Sequence, residues 1–171
     1  MGIATTSAGT AGFITGTYIL LAPLLLTLFW HQRTSKYTWI AAVFALVGAY
    51  LLSTGGTLLE PSSGSLLLFA GALAWALHVI VVGQAVQRMD AFVFSAGQFL
   101  VCGVLHLLLS FVIEPLTLPA IRASWLPLLY SGLLSVAVGF TLQALGQRKA
   151  PAADAVLILS LEAVFAALAG L

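Results

Sequence analysis

The apolar segment "PAADAVLILSLEAVFAALAGL", residues 151–171, carries a carboxylate near its centre, at Glu162. In a membrane helix, an acid at that depth costs on the order of 2.5–3.5 kcal/mol on insertion scales. Such groups usually face the interior of a helix bundle or a hydrated cavity. Three roles are therefore open for Glu162: it binds a solute or a proton, it joins two helices through a hydrogen bond, or it lies near the membrane interface. Asp154 follows Pro151 closely and is expected to be a first-turn charge, which the helix dipole favours.

Trp75 and His78 lie three residues apart in "AWALHVI" and share one face of a helix. An imidazole beside an indole can offer a solute a hydrogen-bonding edge and a surface for stacking or cation–π contact. The alternative is a packed aromatic pair with a hydrogen-bonded histidine. Gln98 begins a series at intervals of four that continues with Cys102 and His106, and it either lines a pathway or bonds to another helix. No pair of these residue types has the spacing of a metal site with a carboxylate, so we expect no metal and no cofactor.

Small and polar residues recur every four positions in two other segments. They are Ser131, Ser135, Gly139 and Gln143 in one segment, and Ala8, Gly12 and Gly16 in the other. Small residues at this spacing let membrane helices approach each other closely. A structural role is therefore expected for both series, with Gln143 as the member that reaches a cavity.

The composition places these residues in a membrane protein. Of 171 residues, 61% are hydrophobic and 6% are Asp, Glu, Lys or Arg, whereas a soluble domain is about 25% charged. The charges are clustered, and the uncharged runs between them suit helices of about 20 residues, the length that crosses a bilayer. A net charge of +1 gives no reason to expect nucleic acid as a partner. The predicted fold class is all-α, a polytopic helical protein embedded in the lipid bilayer.

Six transmembrane helices are predicted, at about residues 8–30, 37–54, 65–86, 91–113, 125–146 and 152–171. The loops after the first, third and fifth helices carry five basic residues, and the other loops carry Arg122. Because Lys and Arg accumulate in cytoplasmic loops, these three loops are predicted to be cytoplasmic and both chain ends to face outward. The chain begins and stops close to an apolar run, so we expect a fragment of a longer protein.

The first and last helices have a weak internal similarity. When Ser7 is paired with Pro151, at an offset of 144 residues, Tyr18 falls opposite Glu162. The two helices are separated by five membrane crossings and therefore run in opposite directions. An inverted repeat of this kind is typical of secondary transporters, whose substrate site lies near the midplane at the repeat interface.

Four longer stretches carry a resemblance to a known family that covers essentially the whole chain. They are "TSAGTAGFITGTYILLAPLL", "ALAWALHVIVVGQAVQRMD", "SAGQFLVCGVL" and "LLYSGLLSVAVGFTLQALGQRKAPAADAVLILSLEAVFAAL". Together they resemble the EamA-type branch of the drug/metabolite transporter superfamily. The resemblance implies a ten-helix protein of two five-helix halves with opposite topology, of which this chain would hold the fourth to ninth helices. Residues 1–59 would end the first repeat with two helices, and residues 60–171 would form the second repeat with four helices, the last one missing.

Two prolines of the family pattern bear on helix geometry. The proline of the fourth helix is present as Pro23 and is expected to bend the first helix of this chain. The proline that usually follows the acid of the ninth helix is Ala163 here. The sequence therefore supplies no proline that would break the helix beside Glu162.

The function that follows from the residues and the resemblance is secondary active transport of a small metabolite or drug-like solute, with export as the expected direction. The substrate-binding residues predicted are Tyr18, Trp75, His78, Gln98, Gln143 and Glu162. No stretch resembles a nucleotide-binding loop, which leaves coupling to a proton or to counter-exchange. The expected location is the cell membrane, the inner membrane of a bacterium, with several membrane crossings.

Other classes of function fit the sequence less well than transport. A truncated, inactive or oligomer-dependent membrane protein is the main alternative, and a homo-oligomer is compatible with it. An intramembrane serine protease is disfavoured, because no glycine stands two positions before Ser131 and no histidine follows it. A channel would need rings of charge or of carbonyl groups, and the sequence shows neither. We therefore expect no enzymatic activity.

Overall fold

The computed structural model describes residues 5–56, 62–113 and 118–169, and within these ranges it contains helices and no strands. Six helices are long and apolar enough to cross a membrane, and we call them spans 1 to 6. They are Ala8–Phe29, Lys36–Thr54, Ser65–Ala85, Ala91–Ile113, Trp125–Gln147 and Ala152–Ala169. A short helix, Leu118–Ala123, precedes span 5. The predicted all-α class and its six membrane helices are confirmed, with bounds within two residues of those expected; residues 170 and 171 of the predicted sixth helix lie outside the described ranges.

Side chains with oxygen acceptors begin three of the spans. Ser7 Oγ accepts from Thr10 N at 3.2 Å before span 1, and Ser35 Oγ accepts from Tyr37 N at 3.2 Å at the start of span 2. At the start of span 4, Asp90 Oδ1 accepts from the backbone N–H of the second and third residues that follow it, at 2.9 and 3.3 Å. These contacts satisfy N–H groups that have no partner within the helix. Local sequence thus sets where the apolar runs become helical.

Two spans are broken near their middle. Span 1 consists of Ala8–Gly16 and Tyr18–Phe29, and span 6 consists of Ala152–Leu159 and Glu162–Ala169. Neither break lies where the prolines of the sequence predicted one. Pro23 lies inside a continuous helical segment and the break falls six residues earlier, at Thr17.

The break in span 6 forms without a proline, because hydroxyl and backbone groups reorganise the turn instead. Ser160 Oγ donates to Leu157 O at 2.7 Å, and Leu161 N donates to Ile158 O at 3.2 Å, three residues back. This tighter pattern replaces the regular bonds of the α-helix over one turn.

Span 5 departs from regular α-helix over a longer stretch. Residues Tyr130–Phe140 form a π-helix between the α-helical segments Trp125–Leu129 and Thr141–Gln147. Three members of the series predicted on this span lie in the π-helical part, namely Ser131, Ser135 and Gly139. The wider backbone turn therefore changes which side chains share a face there.

The chain divides into two compact units. Unit 1 comprises residues 1–82 and 150–171, and unit 2 comprises residues 83–149. In unit 1, spans 1, 2, 3 and 6 pack around a buried core whose largest fully buried side chains include Ile19, Leu26, Ile80 and Val156. Spans 1 and 2 approach so closely that a Cβ on Gly9 would overlap the backbone carbonyl of Ser53.

Unit 2 contains spans 4 and 5 and the loops that flank them. Gln87 Nε2 donates to the carbonyl oxygens of Gln147 and Arg148, at 3.1 and 3.2 Å, and so binds the end of span 5. Arg148 also forms a salt bridge with Asp90 at 3.6 Å, between side chains that are about half exposed. Most large apolar side chains of spans 4 and 5 are exposed within the described chain, as expected for helices whose surroundings are lipid or other membrane helices.

Candidate solute-binding cavity

Unit 1 forms an open cavity of about 940 Å³. All four spans of the unit contribute to its wall, and small residues dominate the parts from spans 1, 2 and 3: Gly12, Gly16, Ala45, Gly48, Ala49, Gly71 and Ala72. Space opens there because these residues carry little or no side chain. Pockets for small molecules typically measure about 300–1,000 Å³, so the cavity has the size of a solute site.

The two helix breaks lie in the wall of this cavity. Tyr18 and Glu162 are the first residues after the breaks in spans 1 and 6, and both line the cavity. The first segments of the two spans begin at Ala8 and Ala152. The offset of 144 residues that aligns the sequences thus aligns both helix starts and both restarts. The two broken spans occupy equivalent positions in the repeat suggested by sequence.

Tyr18 and Glu162 carry the strongest polar groups of the wall. The side chain of Tyr18 is 5% exposed, and its buried hydroxyl has no hydrogen-bond partner among the described residues. Glu162 is exposed, and it lines the same cavity as the Tyr18 ring. Glu162 also starts an eight-residue helical segment, whose positive end favours a carboxylate. The hydroxyl and the acid together offer a donor and several acceptors to whatever occupies the cavity.

Other hydroxyl groups near the breaks are engaged within their own helices. Thr15 Oγ1 donates to the carbonyl oxygens of Ala11 and Gly12, both at 3.0 Å, and Ser160 Oγ donates to Leu157 O. Their protons are therefore not directed at the cavity. This leaves Tyr18 as a hydroxyl of the wall whose proton is not committed elsewhere in the described structure.

Trp75 and His78 form a stacked pair on span 3. Their ring centroids lie 5.1 Å apart with an interplanar angle of 23°. Trp75 lines the cavity and also meets the Tyr18 ring edge-to-face at 6.5 Å. His78 is not among the residues that line the cavity, so it stands behind the indole. The predicted shared face is present, and it brings one of the two rings to the cavity.

Gln98 and Gln143 lie in unit 2 and are not part of this wall. Both are half-buried, and Gln143 Nε2 donates to Oε1 of Gln147, one turn further on, at 3.4 Å. Cys102 and His106 contact each other on span 4, with 3.4 Å between Sγ and Nδ1. The structure thus brings together three of the six predicted site residues, Tyr18, Trp75 and Glu162, in one cavity.

Asp154 belongs to the scaffold of unit 1. It lies in the first turn of span 6, as Pro151 suggested, and accepts a hydrogen bond from Thr38 Oγ1 at 3.0 Å. This bond links the start of span 6 to the start of span 2. The charge therefore has a partner at the helix end, away from the break at Glu162.

Span 2 is the part of the site that sequence reasoning missed. It supplies Ala45, Gly48, Ala49, Leu52 and Ser53 to the cavity wall. The available signal was the recurrence of small residues at intervals of three and four on that helix, the same signal that marked Gly12 and Gly16 on span 1.

Comparison with known proteins identifies a family. A sequence model of the EamA-like transporter family matches residues 1–54 and 62–171 of the chain. No curated protein and no solved structure matches it. The matched residues include the described residues of all six spans and of the cavity wall. Membership of such a family implies membrane transport, an activity that is typically not enzymatic.

Proposed function

The chain belongs to the EamA-like transporter family, and from that premise we propose that it is a secondary active transporter of a small metabolite or drug-like solute. Transport proceeds by alternating access between inverted repeats, with export as the expected direction. Residues 1–59 end one repeat and residues 60–171 belong to the next, so the chain corresponds to the fourth to ninth helices of a ten-helix carrier. The membrane is the cell membrane, the inner membrane of a bacterium.

One observation supports this proposal: the cavity lies at two helix breaks, and the residues that follow them, Tyr18 and Glu162, correspond at the 144-residue offset of the predicted repeat. Secondary transporters bind their substrates near the midplane at discontinuous helices of this kind, where irregular backbone is tolerated because it borders a cavity. The family match supports the repeat boundary as well, since it falls in two stretches with a gap between residues 54 and 62.

Within the proposal, Tyr18, Trp75 and Glu162 form the solute site of unit 1. His78 supports Trp75 by stacking on it, at 5.1 Å between the ring centroids. Gln98 and Gln143 remain predicted contributors from unit 2. Glu162 binds either the solute or a proton, and this exchange couples transport to a proton gradient. The carboxylate makes no hydrogen bond or salt bridge with the residues the structure describes, which favours this role over a purely structural one.

Alternating access can be tested without knowing the solute. In a Cys102→Ser background, Ser160→Cys places a thiol on the cavity wall, and Phe44→Cys places one on an exposed surface of span 2 outside the cavity. The full chain is inserted in right-side-out and inside-out membrane vesicles and treated with a membrane-impermeant maleimide. We expect the thiol at position 160 to be labelled from both sides and the thiol at position 44 to be protected by lipid. Labelling at position 160 from one side only, or from neither, would contradict alternating access.

A further inference from the structure

The cavity of unit 1 has a negative charge in its wall and no positive charge among the described residues that line it. Glu162 supplies the negative charge, and none of these residues is Lys, Arg or His. The six basic residues of the chain all lie elsewhere, in loops or at helix ends. Solutes that carry a phosphate or a carboxylate need a cationic or otherwise donor-rich wall, and this wall offers them an acid. The charge of the site therefore favours a cation.

The rest of the wall favours an apolar body on that cation. Tyr18 and Trp75 meet edge-to-face at 6.5 Å, so ring surfaces border the same space as the carboxylate. Aromatic faces attract cations within about 6 Å of the ring centroid and also bury apolar groups. The remaining wall is largely glycine, alanine and leucine, which cannot compete for hydrogen bonds through their side chains. A small inorganic cation would leave most of a 940 Å³ cavity unused.

The Tyr18 hydroxyl adds a requirement for hydrogen bonding. It is a buried polar group with no partner among the described residues, in a side chain that is 5% exposed. Buried polar groups in native proteins nearly always have a partner, so an occupant that supplies one is favoured. A solute with N–H donors can bond to this oxygen and to the Glu162 carboxylate together. A quaternary ammonium group has no N–H and can donate a hydrogen bond to neither.

From these three features we propose that the cavity binds amphipathic organic cations that carry N–H donors and an aromatic or similar apolar body. The inference rests on the proposed transport function and names the class of its solute. Glu162 holds the cationic group, Tyr18 accepts a further N–H, and the Trp75 ring covers the apolar part.

A matched set of probes tests the proposal on the full chain, purified in detergent. Tritiated 2-phenylethylguanidine is the reporter, because its guanidinium stays charged across the usable pH range. Binding is measured by scintillation proximity, with 2-phenylethylurea as the neutral isostere, 4-phenylbutyrate as the anion and methylguanidine as the cation without a ring. We expect each of the three to compete at least about tenfold less well than unlabelled 2-phenylethylguanidine, since each lacks the charge or the apolar contact.

Variants assign the binding to the named residues. We expect Glu162→Gln to weaken binding at least about tenfold, Glu162→Asp to retain part of it, and Tyr18→Phe to weaken it severalfold while the ring remains. Size-exclusion profiles and melting temperatures verify that each variant is folded. The competition among probes uses the unmodified chain, so it decides the question even where a variant fails to fold.

The outcomes separate this inference from the proposed function. Equal competition by 2-phenylethylurea or 4-phenylbutyrate, or no measurable binding of the guanidine, would overturn the solute class while two-sided thiol labelling still supported a transporter. Selective binding of the guanidine with one-sided labelling would support the solute class and overturn alternating access.

Discussion

Tyr18 and Glu162 are each the first residue of the second helical segment of a broken span, and they face the same cavity from helices 144 residues apart in sequence. This relationship explains how a carboxylate is accommodated at mid-span. The carboxylate lies at the positive end of the segment Glu162–Ala169 and borders the open cavity. The helix dipole and any polar group that occupies the cavity therefore reduce the free-energy cost of placing the charge in the membrane. Tyr18 occupies the equivalent position in span 1, and its side chain is neutral and carries one hydroxyl.

The first prediction concerns the pH dependence of solute binding. If a proton and the cation compete for Glu162, binding of 2-phenylethylguanidine falls as the pH falls, because protonation removes the negative charge that holds the guanidinium. Glu162→Gln is expected to abolish this pH dependence and the pH dependence of uptake into proteoliposomes, while expression persists. The measurement is the binding and the uptake of tritiated 2-phenylethylguanidine from about pH 5 to about pH 8.

Three other titratable side chains lie near Glu162 or on its span, and two of them require controls. Tyr18 lines the wall, and His78 stands behind Trp75, where its protonation would also disfavour a nearby cation. Asp154 lies on the same span as Glu162 and bonds to Thr38. We expect His78→Gln and Asp154→Asn to retain the pH dependence of binding and uptake. If Glu162→Gln also retains this pH dependence, Glu162 has no part in coupling.

The second prediction tests the space that glycine leaves on span 2. A Cβ on Gly48 would meet nothing within 4 Å, and the residue lines the cavity. Gly48→Leu should therefore fold normally and fill part of the cavity, with at least about a tenfold loss of guanidine binding from direct exclusion. Gly97→Leu on span 4 is the matched control, because a Cβ there also meets nothing within 4 Å and the residue is not part of the wall. Unchanged binding in Gly48→Leu would show that the cavity is not the site.

The sequence predicted the spans far better than the cavity, for a physical reason. Crossing a bilayer requires a long run of apolar residues, a property of each segment alone, and the bounds follow within two residues. A cavity depends on which small side chains of different helices face one another. Gly48 and Ser53 belong to a helix whose charged residue, Lys36, stands at its first position. The recurrence of small residues on that helix does not by itself show which neighbouring helix they face.

The helix breaks were also beyond the sequence pattern. Proline marks a break in advance because it lacks an N–H, but the structure places the breaks at Thr17 and at residues 160–161. There, threonine and serine hydroxyl groups donate to carbonyl oxygens three residues back, Thr17 Oγ1 to Ile14 O at 2.6 Å and Ser160 Oγ to Leu157 O at 2.7 Å. Such side chains form these bonds in unbroken helices too, so their presence does not predict a break.

The third prediction concerns the close contact of spans 1 and 2. Since a Cβ on Gly9 would overlap the backbone carbonyl of Ser53, Gly9→Ala should force the two helices apart. We expect the free energy of unfolding, measured by titration with SDS in mixed micelles, to fall by about 1–3 kcal/mol, the usual cost of overpacking. Gly103→Ala, at a position where a Cβ meets nothing within 4 Å, should leave it unchanged or slightly higher. Equal stability of the two variants would contradict the close approach.

The fourth prediction concerns the bond between Thr38 and Asp154, which ties the start of span 2 to the start of span 6. Thr38 is 8% exposed and its hydroxyl donates to the carboxylate at 3.0 Å. Thr38→Val keeps the shape of the side chain and removes the donor, so the free energy of unfolding should fall by about 1–2 kcal/mol. Thr38→Ser keeps the hydroxyl and should lose less. In a double-mutant cycle, Thr38→Val should cost little once Asp154→Ala has removed the acceptor, because the bond is then already absent. Additive costs in that cycle would show that the two residues stabilise the bundle independently, and that the carboxylate of Asp154 serves its own helix end rather than the contact between spans.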